Sequence, residues 1–307
     1  MKKGLVLKST GSWYTVKTDE GSLVSCKAKG KLRTFDIKST NPIAVGDRVD
    51  IEDADEQTGV IVNIHDRKNY IIRKASNLSK QSHILAANVD QAVLVITLAF
   101  PETQLEFIDR FLASCEAYRI PVIIVVNKTD LYENTLRNLL NDIHNIYEPI
   151  GYKVIETSAI NKKNLDTLKS TLKDKISVLS GNSGVGKSTL INTLYPNLHL
   201  KVGEISDYHM KGKHTTTFAE MFELPEGGYI IDTPGIKGFG MIYMEKEEIY
   251  HFFPDIFKYA EACQYYNCLH VEEPKCAVKT AVENEMISLS RYQSYLSILN
   301  DENSKYR

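Results

Sequence analysis

The 307-residue sequence predicts a multidomain α/β protein: a small N-terminal β-barrel, a central α/β domain on a mostly parallel sheet, and a helical, cysteine-bearing C-terminal domain. Three observations predict it. Short apolar runs punctuated by Gly, Asp and Ser fill residues 1–75. From Val89 to about residue 240, all-apolar strands alternate with segments of helical spacing. Three of the five cysteines then fall between Cys263 and Cys276.

The length exceeds what one small core needs, and the boundaries fall at 1–75, 76–240 and 241–307. Hydrophobic content of 43% and charged content of 25% are those of a soluble globular protein. The first residues lack the apolar core of a secretory signal, and no apolar run is long enough to span a membrane, so a cytoplasmic protein without membrane contact is expected. The formal net charge is −2. It is unevenly spread: residues 1–75 hold 14 Lys+Arg against 10 Asp+Glu, which permits a local RNA contact on an otherwise acidic body.

In the first segment, runs at Leu5–Leu7, Trp13–Val16, Leu23–Cys26, Arg48–Ile51 and Val60–Ile64 read as five strands. That suits a barrel of the oligonucleotide-binding (OB) type, although an SH3-like barrel would show a similar pattern. Lys27, Lys29, Lys31 and Arg33 alternate, so an extended backbone would project them to one side. Together with Arg67, Lys68, Arg73 and Lys74, and with Trp13, Tyr14 and Phe35 as stacking groups, they could follow an RNA backbone. A lysine-fringed edge that blocks strand pairing fits the same residues.

In the central segment Val93–Ile96, Val122–Val126, Val154–Thr157 and Ile176–Leu179 read as buried strands. Helices are expected over 104–118, 133–146, 164–174 and after Lys187, with further strands near 217–224 and 228–232. Continuous apolar strands of this kind need cover on both faces of the sheet. The last segment is helical and ends in a helix near 281–299.

The chemistry concentrates in a few motifs. Gly181-Asn182-Ser183-Gly184-Val185-Gly186-Lys187-Ser188, followed by Thr189, is a complete GxxxxGK[ST] loop between an apolar strand and a helix. Glycines let the backbone wrap phosphate oxygens with its N–H groups turned inward, and the helix N-terminus favours negative charge. Lys187 is suited to the β- and γ-phosphates and to catalysis, and the Ser188 hydroxyl to Mg²⁺. Asn127-Lys128-Thr129-Asp130 follows another apolar strand. The Asp130 carboxylate only accepts hydrogen bonds, so it pairs with guanine N1–H and N2–H and is repelled by the N1 acceptor of adenine. Thr157-Ser158-Ala159, at the end of the next strand, could offer backbone donors to guanine O6. Asp232-Thr233-Pro234-Gly235 supplies an acid for the Mg²⁺ shell and, at Gly235, an amide near the γ-phosphate. Between the glycine loop and this turn lies His214-Thr215-Thr216-Thr217, of which one threonine, with Thr216 as the candidate and Thr215 and Thr217 as alternatives, would close on Mg²⁺. The base-reading motifs precede the phosphate-reading ones, the reverse of the ordinary order, so the middle domain is expected to be a circularly permuted P-loop GTPase.

Hydrolysis needs a group that orients water. The position after the D-x-x-G turn, often a glutamine, is Ile236 here. His214 is the internal candidate, since a neutral imidazole can accept from water; a solvated loop histidine is the alternative. In the last segment Cys263-x₄-Cys268-x-His270-x₅-Cys276 supplies three thiolates and an imidazole, a donor set for one structural, tetrahedral Zn²⁺. Cys26 and Cys115 stand alone as packing residues.

Taken together, the small barrel, N-K-x-D ahead of G-x-S-G-V-G-K-S-T, H-T-T-T, D-T-P-G-I and C-x₄-C-x-H-x₅-C resemble the bacterial ribosome-small-subunit-dependent GTPase A family over essentially the whole chain. The resemblance implies an OB-type barrel, a circularly permuted GTPase domain and a zinc-binding helical domain. It also implies a late role in maturation of the small (30S) ribosomal subunit, contact with its 16S rRNA, and GTP hydrolysis stimulated by that subunit. A monomer is expected. By motif match, Asn127, Lys128 and Asp130 take the guanine role, Gly181 to Thr189 the phosphate role, and Cys263, Cys268, His270 and Cys276 the zinc role. His214 matches the family's proposed catalytic histidine. The alternative function is a GTP-regulated RNA- or ribosome-binding switch whose hydrolysis is incidental.

Overall fold

The computed structural model describes residues 1–30, 32, 42–53, 58–74, 82–198, 219–232 and 245–300. The opening strands are β1 (Lys2–Ser9), β2 (Tyr14–Thr18), β3 (Leu23–Ala28), β4 (Arg48–Asp53) and β5 (Thr58–Ile64). They pair as β1-β2-β3-β5-β4 and close through β4 onto β1, with β3 and β5 parallel. This closed five-strand order is that of the OB-type barrel. Alternation along each strand turns Val6, Val16, Cys26, Val49, Ile51 and Ile61 inward, all fully buried.

Two further strands, β6 (Tyr70–Lys74) and β7 (Ser82–Ala87), form an antiparallel ladder after the barrel. Their sequence does not advertise them, because β6 is short and ends in Arg73 and Lys74, residues that read as part of a basic face.

The main sheet holds β8 (Gln91–Ile96), β9 (Val122–Val126), β10 (Lys153–Glu156), β11 (Ile176–Ser180), β12 (Glu220–Glu223) and β13 (Tyr229–Asp232) in the order β10-β9-β8-β11-β13-β12. Only β12 is antiparallel to its neighbour. Every residue of β8 is buried because both faces are covered. Leu94 and Ile96 pack beneath α1 (Leu105–Ala117) and α2 (Thr135–Tyr147), whereas Val93 and Val95 pack beneath α3 (Leu165–Leu172) and α4 (Lys187–Leu194). The barrel and this sheet are not separate: Lys8 of β1 pairs with Glu220 of β12, and their side chains form an ion pair at 3.0 Å.

The C-terminal segment contains a short 3₁₀ run (Lys246–Phe252), α5 (Pro254–Ala260), α6 (Ala277–Glu283) and α7 (Leu289–Asn300). The single helix expected near 281–299 is thus two. Helix α6 stops at Glu283, Glu285 takes φ +58°, and the N–H of Met286 turns back to the Ala281 carbonyl at 2.8 Å. The apolar spacing is shared between two helices, with Ile287 buried at the corner. Among the described residues no helix is long and apolar enough to cross a membrane.

Helix α7 is joined to the α/β domain by a buried charge cluster. Arg291, 1% exposed, donates twice to Asp255 of α5 (2.7 and 3.1 Å) and once to Asp109 of α1 (2.9 Å). Asp109 also accepts from the Tyr147 hydroxyl at 2.9 Å. Burial works against the charge on Arg291, yet the two carboxylates raise its pKa above the ordinary arginine value. Phe253 lies under the guanidinium, its ring centre 4.8 Å away.

Candidate functional site

The loops that follow β8, β9, β10 and β11 gather at the C-terminal edge of the parallel strands, where open α/β sheets bind their ligands. The loop after β11 carries Gly181–Gly186 and runs into α4 at Lys187. Two of its glycines are required by geometry. Gly181 has φ +138°, and a Cβ there would lie 2.1 Å from the Val95 carbonyl oxygen. Gly186 has φ +91°, and a Cβ would lie 2.7 Å from Asn127 Nδ2. Lys187 folds over the loop and donates to the carbonyls of Gly181 (2.6 Å) and Asn182 (2.8 Å). Ser188 is buried in the first turn of α4, directly behind the loop, and Thr189 follows it.

The structure brings the second motif against the first. Asn127, 2% exposed, donates from Nδ2 to the Val185 carbonyl at 2.9 Å, and Lys128 donates to the Gly184 carbonyl at 2.7 Å. Lys128 reaches that point from a left-handed backbone, φ +61°. The third motif locks onto the second: Thr157 donates to Asn127 Oδ1 (3.1 Å) and Ser158 to Asp130 Oδ1 (2.6 Å). The Ser158 oxygen in turn accepts the Asn161 N–H at 3.0 Å. Asp130 is therefore aimed by a hydroxyl and keeps a second carboxylate oxygen for a ligand. Ser158 braces Asp130 through its side chain, and Ala159 stands beside it, half-buried.

Two contributors carry no sequence signal. The Tyr132 hydroxyl donates to the Asn127 carbonyl (2.7 Å) and accepts the Leu98 N–H (2.8 Å), pinning the N-K-x-D loop to the end of β8; burial pushes its pKa up to about 12. The loop after β8 also presents the Phe100 carbonyl to Lys128 at 2.5 Å. Leu98 and Phe100 lie 34 and 28 residues from these partners, too far to be found from spacing.

Asp232 ends β13, beside β11, which places its backbone at the same edge as the glycine loop. Its side chain, together with His214, Thr215, Thr216, Thr217 and Gly235, lies outside the described residues.

The Cys/His cluster forms at the other pole of the chain. Ligand atoms of Cys263, Cys268, His270 and Cys276 all lie within 4.8 Å of one another. His270 Nδ1 is 3.6 Å from Cys263 Sγ and 3.5 Å from Cys276 Sγ, and these two sulfurs are 3.9 Å apart. Four donors around one zinc ion, at about 2.3 Å for sulfur and about 2.0–2.1 Å for nitrogen, stand about 3.8 Å apart S to S and about 3.5 Å S to N. The residues fit that ion. Burial pushes the Cys268 thiol up to about 12 and the His270 imidazole below its ordinary value. The imidazole is thereby kept neutral and able to ligate, and a bound dication would reverse the balance for the thiols. The loop is braced by residues the sequence did not single out. Glu273 accepts the N–H groups of Leu269 (2.7 Å) and Val271 (2.8 Å), while Tyr292 and Tyr295 of α7 donate to the carbonyls of His270 (2.6 Å) and Leu269 (2.7 Å).

The basic face of the barrel is only partly as expected. Lys27 and Lys29 are exposed, with the Lys27 ammonium 4.4 Å from the Trp13 ring centre and Lys29 3.9 Å from Glu52. Lys31, Arg33 and Phe35 lie outside the described residues, as do the side chains of Arg73 and Lys74. Tyr14 cannot stack on a base: it is 2% exposed, inside the barrel. Arg67 is committed to the fully buried Asp47 by two bonds of 2.6 Å, and Lys68 pairs with Asp90.

Comparison with known proteins agrees with this construction. A model described as RsgA GTPase matches residues 64–242, and one described as RsgA N-terminal domain matches residues 3–61. A Bacteroides fragilis protein named small ribosomal subunit biogenesis GTPase RsgA is 59% identical over 306 residues, covering 99% of each chain. A Flavobacterium psychrophilum protein of the same name is 53% identical, covering 99% of this chain and 94% of that one. Among solved structures, YjeQ from Thermotoga maritima superposes with a TM-score of 0.81 at 35% identity over 97% of each chain. YloQ, described as a circularly permuted GTPase, gives 0.76 at 30% identity over 97% and 94%. A family model spanning more than half the sequence and relatives matching along its whole length show that this chain belongs to the RsgA GTPase family of circularly permuted, GTP-hydrolysing enzymes.

Proposed function

We propose that this GTPase binds the small (30S) ribosomal subunit, contacts its 16S rRNA, and assists the subunit's late maturation, hydrolysing GTP to GDP and phosphate faster on the subunit than off it. The observation that carries the reading is the bonding of Asn127 and Lys128 to the carbonyls of Val185 and Gly184, which makes one site of a base-reading loop and a phosphate loop. Likeness to proteins named as small ribosomal subunit biogenesis GTPases supplies the partner.

In this reading Asp130, aimed by Ser158, accepts from guanine N1–H and N2–H, and the backbone at Ser158 and Ala159 faces O6. The N–H groups of Gly181 to Thr189 surround the phosphates, and Lys187 exchanges its two carbonyl partners for phosphate oxygens. Ser188, Asp232 and Thr216 would hold Mg²⁺, which offsets charge on the β- and γ-phosphates; Gly235 senses the γ-phosphate and His214 orients water. Cys263, Cys268, His270 and Cys276 would hold one Zn²⁺, whose role is to fix the loop that carries them. Residues 1–75, 76–240 and 241–307 serve as RNA-binding barrel, GTPase and zinc-binding domain of a cytoplasmic monomer. Lys27 and Lys29, with Lys31 and Arg33, face RNA.

The test is GTP turnover by purified protein, alone and with small ribosomal subunits, with Lys187→Ala as the blank. Strong stimulation is the expected outcome. GTP binding without any stimulation would overturn the reading in favour of a nucleotide switch with incidental hydrolysis, for which Ile236 in the water-orienting position would then account.

A further inference from the structure

A groove of about 740 Å³ runs between the start of α1, α2 and the start of α7. Its apolar floor is formed by the half-buried Leu105 and Ile146, with Leu98 and Ile143 buried beneath them. Leu139 of α2 and Leu289 of α7, 44% and 59% exposed, also line it. Three exposed carboxylates, Glu102, Glu106 and Asp142, share the rest of the lining with neutral polar side chains such as Gln104, Asn145 and Gln293, and no lysine, arginine or histidine is among the described residues that form it. Glu106 is partly engaged, by Ser297 at 2.6 Å and Arg110 at 3.4 Å; the structure gives Glu102 and Asp142 no ion-pair partner among the described residues.

We infer that this groove docks a basic, amphipathic segment of a partner protein, with apolar side chains over Leu105 and Ile146 and lysines or arginines opposite Glu102 and Asp142. The charge complement decides the class. An RNA strand would bring its phosphates against three carboxylates, whereas an apolar ridge flanked by cations matches the apolar floor and the carboxylates alike. Three helix surfaces around an apolar floor are also the geometry that receives a peptide by its apolar face. An occupant would touch α1 and α7 together, across the Arg291–Asp109 joint, and would lie on the loop whose Phe100 carbonyl holds Lys128.

The experiment uses the full chain with a photo-crosslinking amino acid at Leu289 and, separately, at Leu139. Three probes are offered: a short amphipathic leucine–lysine peptide, its leucine–glutamate counterpart, and an oligouridylate. The expected result is an adduct with the leucine–lysine peptide from both positions, with apparent affinity falling about tenfold when Glu102→Lys and Asp142→Lys are combined. The inference is overturned by an adduct that ignores the charge reversal, by equal capture of the acidic peptide or the oligouridylate, by crosslinks between two copies of the chain, or by no adduct from either position. Because no ribosomal subunit is used, the outcome does not depend on the function proposed above.

Discussion

Asn127 and Asp130 ride on a loop and Lys187 opens α4, just beyond strands that the helices on both faces bury almost throughout: β8, β9 and β11 keep their neighbours whatever those segments hold. Between residues 263 and 276 the relation is reversed. Cys268 and Cys276 are themselves core, packed in one cluster with Phe253, Ile256, Tyr295 and Ile298. The nucleotide loops are thus carried by a scaffold, while the Cys/His cluster is part of what it holds together. A ligand removed from the first should change affinity and leave the fold; a ligand removed from the second should change the fold.

The largest effect therefore belongs to the metal. Structural zinc contributes about 10–16 kcal/mol of apparent binding free energy in small domains. Chelation, or Cys268→Ser, should abolish hydrogen-exchange protection across residues 245–300 while the strands around β8 stay protected. Uniform protection after demonstrated metal loss would show that the α5–α7 core stands unaided and would break the contrast.

Next in size is Asp130→Asn, which attacks the first region alone. An amide offers guanine N1–H and N2–H one acceptor and adds a donor that faces them, so GTP affinity should fall by up to about 10⁴-fold. Preference should shift toward xanthosine triphosphate, which presents a carbonyl where guanine has its amine. The melting temperature should scarcely move, because Asp130 sits on a surface turn held by Thr129, Ser158 and the Tyr132 anchor. Retained GTP preference in a titration of both nucleotides would contradict the assignment.

The same contrast explains which parts were legible in sequence. Phosphate wrapping needs glycines at set positions, guanine needs a carboxylate at a strand end, and zinc needs four soft or borderline donors close in sequence, so all three leave local patterns. The barrel's five strands were legible for a similar reason, since alternation shows in each strand alone. Features that arise from meetings between distant segments were not. The Lys8–Glu220 pairing of barrel with sheet, the bond from Leu98 to Tyr132 and the Tyr295 anchor depend on partners that no short window contains. Tyr14 and Arg67 were misplaced on an RNA-binding face because an aromatic or arginine looks the same in sequence whether it is exposed or serves the core.

Arg291 is the clearest such case and the joint between the two regions. Asp109, its partner, lies 182 residues away, and nothing around Arg291 in the sequence marks it as a core residue. Arg291→Ala would leave the Asp109 and Asp255 carboxylates buried without their cation, a loss of about 3–5 kcal/mol in urea unfolding. That cost arises from stranding the carboxylates, since the attraction within a buried ion pair is largely offset by the cost of desolvating its charges. Replacing the whole cluster, by Arg291→Met with Asp109→Leu, Asp255→Leu and Tyr147→Phe, should therefore recover most of the stability. If it does, what the cluster contributes is the placement of α7 against α1, and its loss should show as altered hydrogen exchange along α1 with little change in the urea midpoint. A quadruple variant no more stable than Arg291→Ala would show instead that the charges hold the C-terminal domain to the sheet, and that the two regions are coupled by energy as well as by position.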